Sequence, residues 1–155
     1  MMKTTEVLLK KLMEMEGCRL TAYKDAAGVL TIGYGHTKGV REGDRISQYW
    51  AKECLREDIE EAERQVTALN VARTEGQLDA LTSFVFNLGI ARLKASTLLK
   101  VIRRGGSKAQ IQREFKKWVY AAGKRLPGLV KRRQWEADRF FESTMPTDLE
   151  IIDRV

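Results

Sequence analysis

Between Glu16 and Thr37 the chain reads EGCRLTAYKDAAGVLTIGYGHT, and few folds can accommodate that stretch. A carboxylate, Glu16, stands at the end of an apolar helical pattern. A second, Asp25, stands beside the turn Ala26-Ala27-Gly28. A run of strand formers, Val29 to Tyr34, then returns the chain between Gly28 and Gly35. Eight residues separate Glu16 from Asp25, and five separate Asp25 from Thr31. A helix running into a hairpin at this spacing brings two carboxylates and a hydroxyl into one neighbourhood. Acid-assisted cleavage of a glycosidic bond requires such a pair of carboxylates.

Leu9, Leu12 and Met13 make the apolar stripe of the first helix, and Glu16 follows on the same face at i+3 and i+4. Leu20 is expected to extend that stripe by a turn. Desolvation of a carboxylate on the buried side of a helix favours the protonated form, which is what a general acid needs near neutral pH. The competing reading is a structural glutamate paired with a basic residue.

Thr4 or Thr5 caps the first helix, and Gly17 weakens its continuation. Thr21 to His36 then predicts a two- or three-stranded antiparallel sheet. Gly33 and Gly35 mark a close approach, either of a sugar ring or of a simple bulge. His36, the single histidine, has no nucleophile to serve and reads as a hydrogen-bonded structural residue. Ser47 opens a long helix to about Leu69, with the stripe Leu55, Ile59, Ala62, Val66 and Leu69. Glu53, Glu57, Glu60, Glu61 and Glu63 are assigned to its outer face. Thr74 to Gln77 is a capping box opening an apolar helix that ends at Gly89. Ser96 caps a short helix that stops at Gly105-Gly106. Ser107 to Gln110 is a second capping box, expected to start a helix through Tyr120 that ends near Gly123. Pro127 opens the last helix, to about Glu142.

The Glu16 to Thr37 motif resembles the catalytic signature of the phage-type lysozymes, or endolysins, the T-even phage lysozyme-like glycoside hydrolases. FVFNLG at 84 to 89, STLL at 96 to 99 and KWVYAAGKRLPGLVKRR at 117 to 133 extend the resemblance. It implies an α+β, mostly helical, lysozyme-like fold. A small β-lobe (about 17–46) and a helical lobe (about 70–142 plus the N-terminal helix) would be joined by a long helix (about 47–69), with the active-site cleft between the lobes. Residues 143–155 would form an acidic tail beyond this 1–142 catalytic domain. By resemblance Glu16 is the proton donor, Asp25 the second carboxylate and Thr31 the holder of the attacking water. Tyr23, Phe86 and Asn87 would bind substrate, although Phe86 read by itself is a core residue. Arg132 would orient the catalytic acid. The implied activity is hydrolysis of the β-1,4 bond between N-acetylmuramic acid and N-acetylglucosamine in peptidoglycan, during phage lysis of the host. Asp25 could serve as base or as electrostatic stabiliser, and the residues leave both open. Thr31, on the returning strand, leaves room for water and so favours inversion of configuration.

Composition narrows the alternatives. Two cysteines, Cys18 and Cys54, without a CxxC pair and with one histidine, give no zinc spacing, and no metal or nucleotide cofactor is expected. A regulatory Cys18 thiol competes with two free reduced thiols. The N-terminus lacks a continuous apolar stretch and a small-residue cleavage site. A monomer made in the cytoplasm without a signal peptide is expected, with no membrane span, reaching the wall (periplasm or exterior) through a membrane pore. Residues 91–139 hold 15 Lys and Arg against 3 Asp and Glu, a net +12 on a chain whose total is +7. Such a segment suits a polyanion such as the wall. No specific nucleic-acid binding is expected, because stacking platforms are not evident beside the charge. A catalytically dead wall-binding module would most simply have lost one of Glu16, Asp25 and Thr31. A transglycosylase, which needs an acid but no water, would not need Asp25 and Thr31.

Overall fold

The computed structural model describes residues 2–142; the acidic tail expected over 143–155 lies outside them. The fold is α+β and mostly helical, with seven helices and two small antiparallel ribbons among the described residues. Internal contacts divide it into two compact units. One is Glu6–Glu61; the other holds residues up to Thr5 and those from Ala62 on.

In the first unit, helix α1 (Glu6–Glu16) buries Leu8, Leu9 and Leu12. It stops where Gly17 takes a φ of +66°. The backbone then changes to strand, so the helical period no longer governs Leu20, which is 39% exposed and does not extend the α1 stripe. Strands β1 (Arg19–Lys24) and β2 (Leu30–Gly33) run antiparallel, with Tyr23 opposite Thr31 and Lys24 opposite Leu30. The register slips between Arg19 and Tyr23. A third segment pairs on the free side of β1: Ala22 N–H donates to Asp44 O and Ile46 N–H to Leu20 O, both at 2.9 Å. The sheet is therefore three segments wide around Thr21.

Beyond β2 the chain makes a tight turn. Ile32 and His36 exchange backbone hydrogen bonds of 2.8 and 2.9 Å across Gly33-Tyr34-Gly35. Both glycines have positive φ, where other residues are strained. A Cβ on Gly33 would lie 3.3 Å from Ala51 Cβ and from Ile46 Cδ1. Packing against Ile46 and the next helix is one reason for that glycine.

Helix α2 (Gln48–Ala68) begins in the first unit and ends in the second. Ser47 caps it, its Oγ accepting from Trp50 N–H at 3.2 Å. Leu55, Ile59, Ala62 and Val66 are buried as the stripe requires, and Leu69 is half-buried. Glu63 departs from the expected outer face. It is 4% exposed, because the N-terminal segment covers it: Thr4 N–H donates to its Oε1 at 2.6 Å and Lys3 Nζ to its Oε2 at 3.3 Å.

The second unit is built on helix α3 (Glu75–Leu88), whose Leu78, Leu81, Phe84 and Val85 enter one apolar cluster. Thr74 Oγ1 accepts from Gln77 N–H at 3.1 Å. Gln77 Oε1 reaches back one residue further than a capping box requires, to Arg73 N–H at 2.8 Å. Gly89 closes α3 with φ +90°, its N–H bonded to Val85 O. Helix α4 (Ile90–Ala95) was not expected. It buries Leu93 fully and packs Ile90 partly against the core, too little for a periodic signal. Helix α5 (Thr97–Arg103) starts at Ser96, and α6 (Lys108–Lys116) starts at Ser107 with a complete capping box.

Helix α6 ends well before Tyr120. The segment up to Gly123 forms a hairpin instead, β3 (Tyr120–Ala121) with β4 (Lys124–Arg125). Ala122 and Gly123 both have positive φ, 50° and 78°, as a two-residue hairpin turn demands. Helix α7 (Pro127–Arg139) opens on proline as expected and buries Arg132, Arg133, Glu136 and Arg139 beside Ala137. Arg139 reaches Asp79 on α3 at 2.8 Å, and Asp79 also takes the N–H and hydroxyl of Thr5 at 2.9 and 2.5 Å. Cys18 and Cys54 are free thiols, both half-buried.

Candidate active site

Glu16, Asp25, Thr31 and Tyr23 all lie in the Glu6–Glu61 unit. Glu16 is the last residue of α1 and is half-buried, not fully buried as its stripe suggests. The 32–36 turn folds back on it: a Cβ on Gly35 would lie 3.5 Å from Glu16 Oε2 and 3.7 Å from its Cδ. Gly35 is thus the point where bare backbone approaches the carboxyl.

Asp25 is exposed at the tip of the ribbon. Its Oδ1 accepts from Ala27 N–H and Val29 N–H, both at 2.9 Å. Its backbone N–H donates to Val29 O at 3.0 Å, and its carbonyl accepts from Gly28 N–H at 2.9 Å. One carboxylate oxygen therefore shapes the turn, and the other takes no hydrogen bond from the described residues. Pairing of Tyr23 with Thr31, and of Asp25 with Val29, puts Tyr23, Asp25 and Thr31 on one face of the ribbon by alternation. Thr31 is 3% exposed and donates its hydroxyl to Val29 O at 2.9 Å. The Thr31 oxygen consequently offers lone pairs, not a proton. One face of the Tyr23 ring is covered by the Arg19 guanidinium, 4.1 Å from its centroid.

His36 is the hydrogen-bonded histidine expected. Its Nδ1 lies 2.8 Å from Asp58 Oδ2 on α2, which ties the 32–36 turn to that helix. Burial pushes the Asp58 carboxyl above its ordinary value, and the His36 hydrogen bond pulls it back.

Phe86, Asn87 and Arg132 belong to the other unit. Phe86 and Asn87, in the last turn of α3, are half-buried. Arg132 is 4% exposed; it donates from Nη2 to Ser83 O at 3.3 Å, and its Nε lies 3.6 Å from Glu136 Oε2. Its guanidinium lies 5.8 Å from the Phe86 centroid. Arg133, its neighbour in sequence, is fully buried. It pairs with Glu136 at 2.9 Å and donates from Nη2 to Asn87 Oδ1 at 2.7 Å. Ser83 Oγ donates to Glu136 Oε2 at 2.6 Å. Burial pushes the Glu136 carboxyl up, against the pull of Arg133, Arg132 and Ser83. It likewise pushes the Arg133 guanidinium down, against the pull of Glu136. Sequence reasoning missed this network. The available signal was Glu136 at i+3 of Arg133, on a helix with few apolar residues to bury.

Among the described residues no group of three or more His, Cys, Asp and Glu could hold a metal ion. No described helix is long and apolar enough to cross a membrane.

Residues 13–136 match the family described as phage lysozyme. The chain is 47% identical to an endolysin of Acyrthosiphon pisum secondary endosymbiont phage 1 over 146 residues, 86% of this chain and 92% of that one. Among solved structures, it is similar to the muramidase domain of SpmX from Asticaccaulis excentricus. The TM-score is 0.81 at 30% identity, covering 92% of this chain and 99% of the other. It is also similar to the endolysin from Escherichia coli O157:H7 phage FAHEc1, with a TM-score of 0.79 at 33% identity, covering 91% and 94%.

Proposed function

The chain belongs to the phage lysozyme family, and on that premise we propose that it hydrolyses one bond of peptidoglycan with inversion. That bond is the β-1,4 linkage between N-acetylmuramic acid and N-acetylglucosamine. The chain is a peptidoglycan hydrolase, a glycoside hydrolase of phage-mediated host lysis. The observation that carries the finer reading is the ribbon itself. One compact unit holds Glu16 with Gly35 against its carboxyl, and holds Asp25 and Thr31 on one strand face.

Glu16 protonates the leaving oxygen. Thr31 Oγ1 and the unbound oxygen of Asp25 are both acceptors, because Thr31 has given its proton to Val29 O. A water held by two acceptors directs both hydrogens at them and turns a lone pair outward, toward the anomeric carbon. Asp25 then acts as base or stabilises the positive sugar ring. Tyr23, Phe86 and Asn87 bind the glycan, and Arg132 orients the Glu16 carboxyl. The chain acts as a monomer at the wall, in the periplasm or outside, after release through a membrane pore, without nucleic acid.

Inversion follows from a water between the carboxylates, a geometry with roughly 6.5–9.5 Å between them, against about 5–5.5 Å for direct attack. Early-time proton NMR of a cleaved β-linked oligosaccharide tests this. The α-anomer should appear first. A β-anomer as first product, or a glycosyl adduct on Asp25, would overturn the role of Thr31.

A further inference from the structure

Asn87 stands in the last turn of α3, and its side-chain oxygen lies 2.7 Å from Arg133 Nη2. A guanidinium has donors only. The Asn87 atom that faces it must be the oxygen, so the amide cannot flip. Among the described residues, no acceptor takes the two hydrogens of Asn87 Nδ2. The half-buried amide therefore presents its two N–H donors, with its oxygen turned to Arg133.

The lock is itself held on several sides. Arg133 is fully buried, with its Nε 2.9 Å from Glu136 Oε1 and its Nη2 3.2 Å from Glu136 Oε2. Its Cζ lies 5.3 Å from the Phe84 ring centroid. Glu136 is fully buried too, and Ser83 Oγ donates to it at 2.6 Å. Ser83, Phe84 and Asn87 belong to α3, and Arg133 and Glu136 to α7. One carboxylate cannot use all five N–H groups of a buried arginine. This arginine spends part of its fork on an amide at the edge of exposure, while its Nε, though ion-paired, and its Nη1 have no hydrogen-bond partner among the described residues.

We infer that Arg133, backed by Glu136 and Ser83, is a positioning residue that fixes Asn87 as a hydrogen-bond donor to an acceptor oxygen of the glycan, such as an acetamido carbonyl. The inference rests on the proposed role of Asn87 in substrate binding. A site built to donate rejects a ligand group that can only donate in return, and this gives the position a specificity.

Three variants test it, with KM and kcat measured on solubilised peptidoglycan and stability by denaturant melt. Asn87→Asp keeps an oxygen for Arg133 but has no N–H. Asn87→Ala has neither. Asn87→Asp should be more stable than Asn87→Ala, yet both should raise KM about tenfold, with a smaller change in kcat. Arg133→Lys keeps the charge and loses the fork. It should raise KM about fivefold in the wild-type background and change it little in the Asn87→Ala background. Should Arg133→Lys fail to fold, the two Asn87 variants decide alone. An active Asn87→Asp enzyme with wild-type KM would overturn the inference. So would an Arg133→Lys effect of equal size with and without Asn87. Failure of the functional reading shows separately, as no reducing ends released by the wild type.

Discussion

The turn-holding role of Asp25 and its proposed catalytic role fall on different parts of its carboxylate, and substitutions can separate them. Its Oδ1 holds the turn through Ala27 and Val29 N–H, and an asparagine oxygen can do the same. Asp25→Asn should therefore keep the fold and lose about 10²-fold in kcat, because the negative charge is gone. Asp25→Ala should lose the same activity and in addition about 1 kcal/mol of stability. Circular-dichroism melts beside turnover measurements read the two effects apart; equal stability of both variants would contradict the structural half. Glu16→Gln keeps shape but has no acidic proton, and kcat should fall about 10²–10⁴-fold in a folded protein. Near wild-type lysis would remove Glu16 from the mechanism. That both carboxylates fall in one compact unit was legible because helix and hairpin follow each other directly in the motif. Gly35 was legible only as a close approach, since its partner, the Glu16 carboxyl, is nineteen residues away in sequence.

The seam between α3 and α7 shows how elements tolerate no added atom. A Cβ on Gly76 would fall 2.4 Å from Glu142 O and 2.5 Å from Arg139 O. Both are backbone atoms and cannot rotate aside. Gly76→Ala should therefore destabilise by about 1–3 kcal/mol, despite the better helix propensity of alanine. A denaturant melt at or above wild-type stability would contradict that packing. Helix positions were mostly legible because caps announce them: Ser47, Thr74, Ser96 and Ser107 each accept the N–H three residues on. The β3–β4 hairpin was not. Its turn, Ala122-Gly123, lacks the Asn-Gly or Asp-Gly signal, and the preceding helical pattern ran into it. Buried charge was illegible for a related reason. Glu63, Arg133 and Arg139 have the composition of a surface, and only long-range partners, invisible to periodicity, bring them inside.

Charge over the whole chain is lopsided, and burial sharpens the point. Of the basic residues in 91–139, Arg132, Arg133 and Arg139 are internal, whereas Arg103, Arg104, Lys116 and Lys117 are exposed. The exposed set should carry attachment to the anionic wall. Raising salt from 0.1 to 1 M shortens the screening length from about 10 to about 3 Å, so pelleting with purified walls should weaken steeply. Charge reversal at those four positions should weaken it likewise at low salt. Attachment indifferent to salt would assign it to apolar or sugar-directed contacts.

Water-dependent cleavage at the muramic acid linkage is tested most directly by mass spectrometry of peptidoglycan digested in H₂¹⁸O. Fragments should end in reducing N-acetylmuramic acid carrying one ¹⁸O, delivered by the water that we propose Thr31 and Asp25 hold. Ends in 1,6-anhydro-N-acetylmuramic acid without label, or reducing N-acetylglucosamine ends, would contradict it.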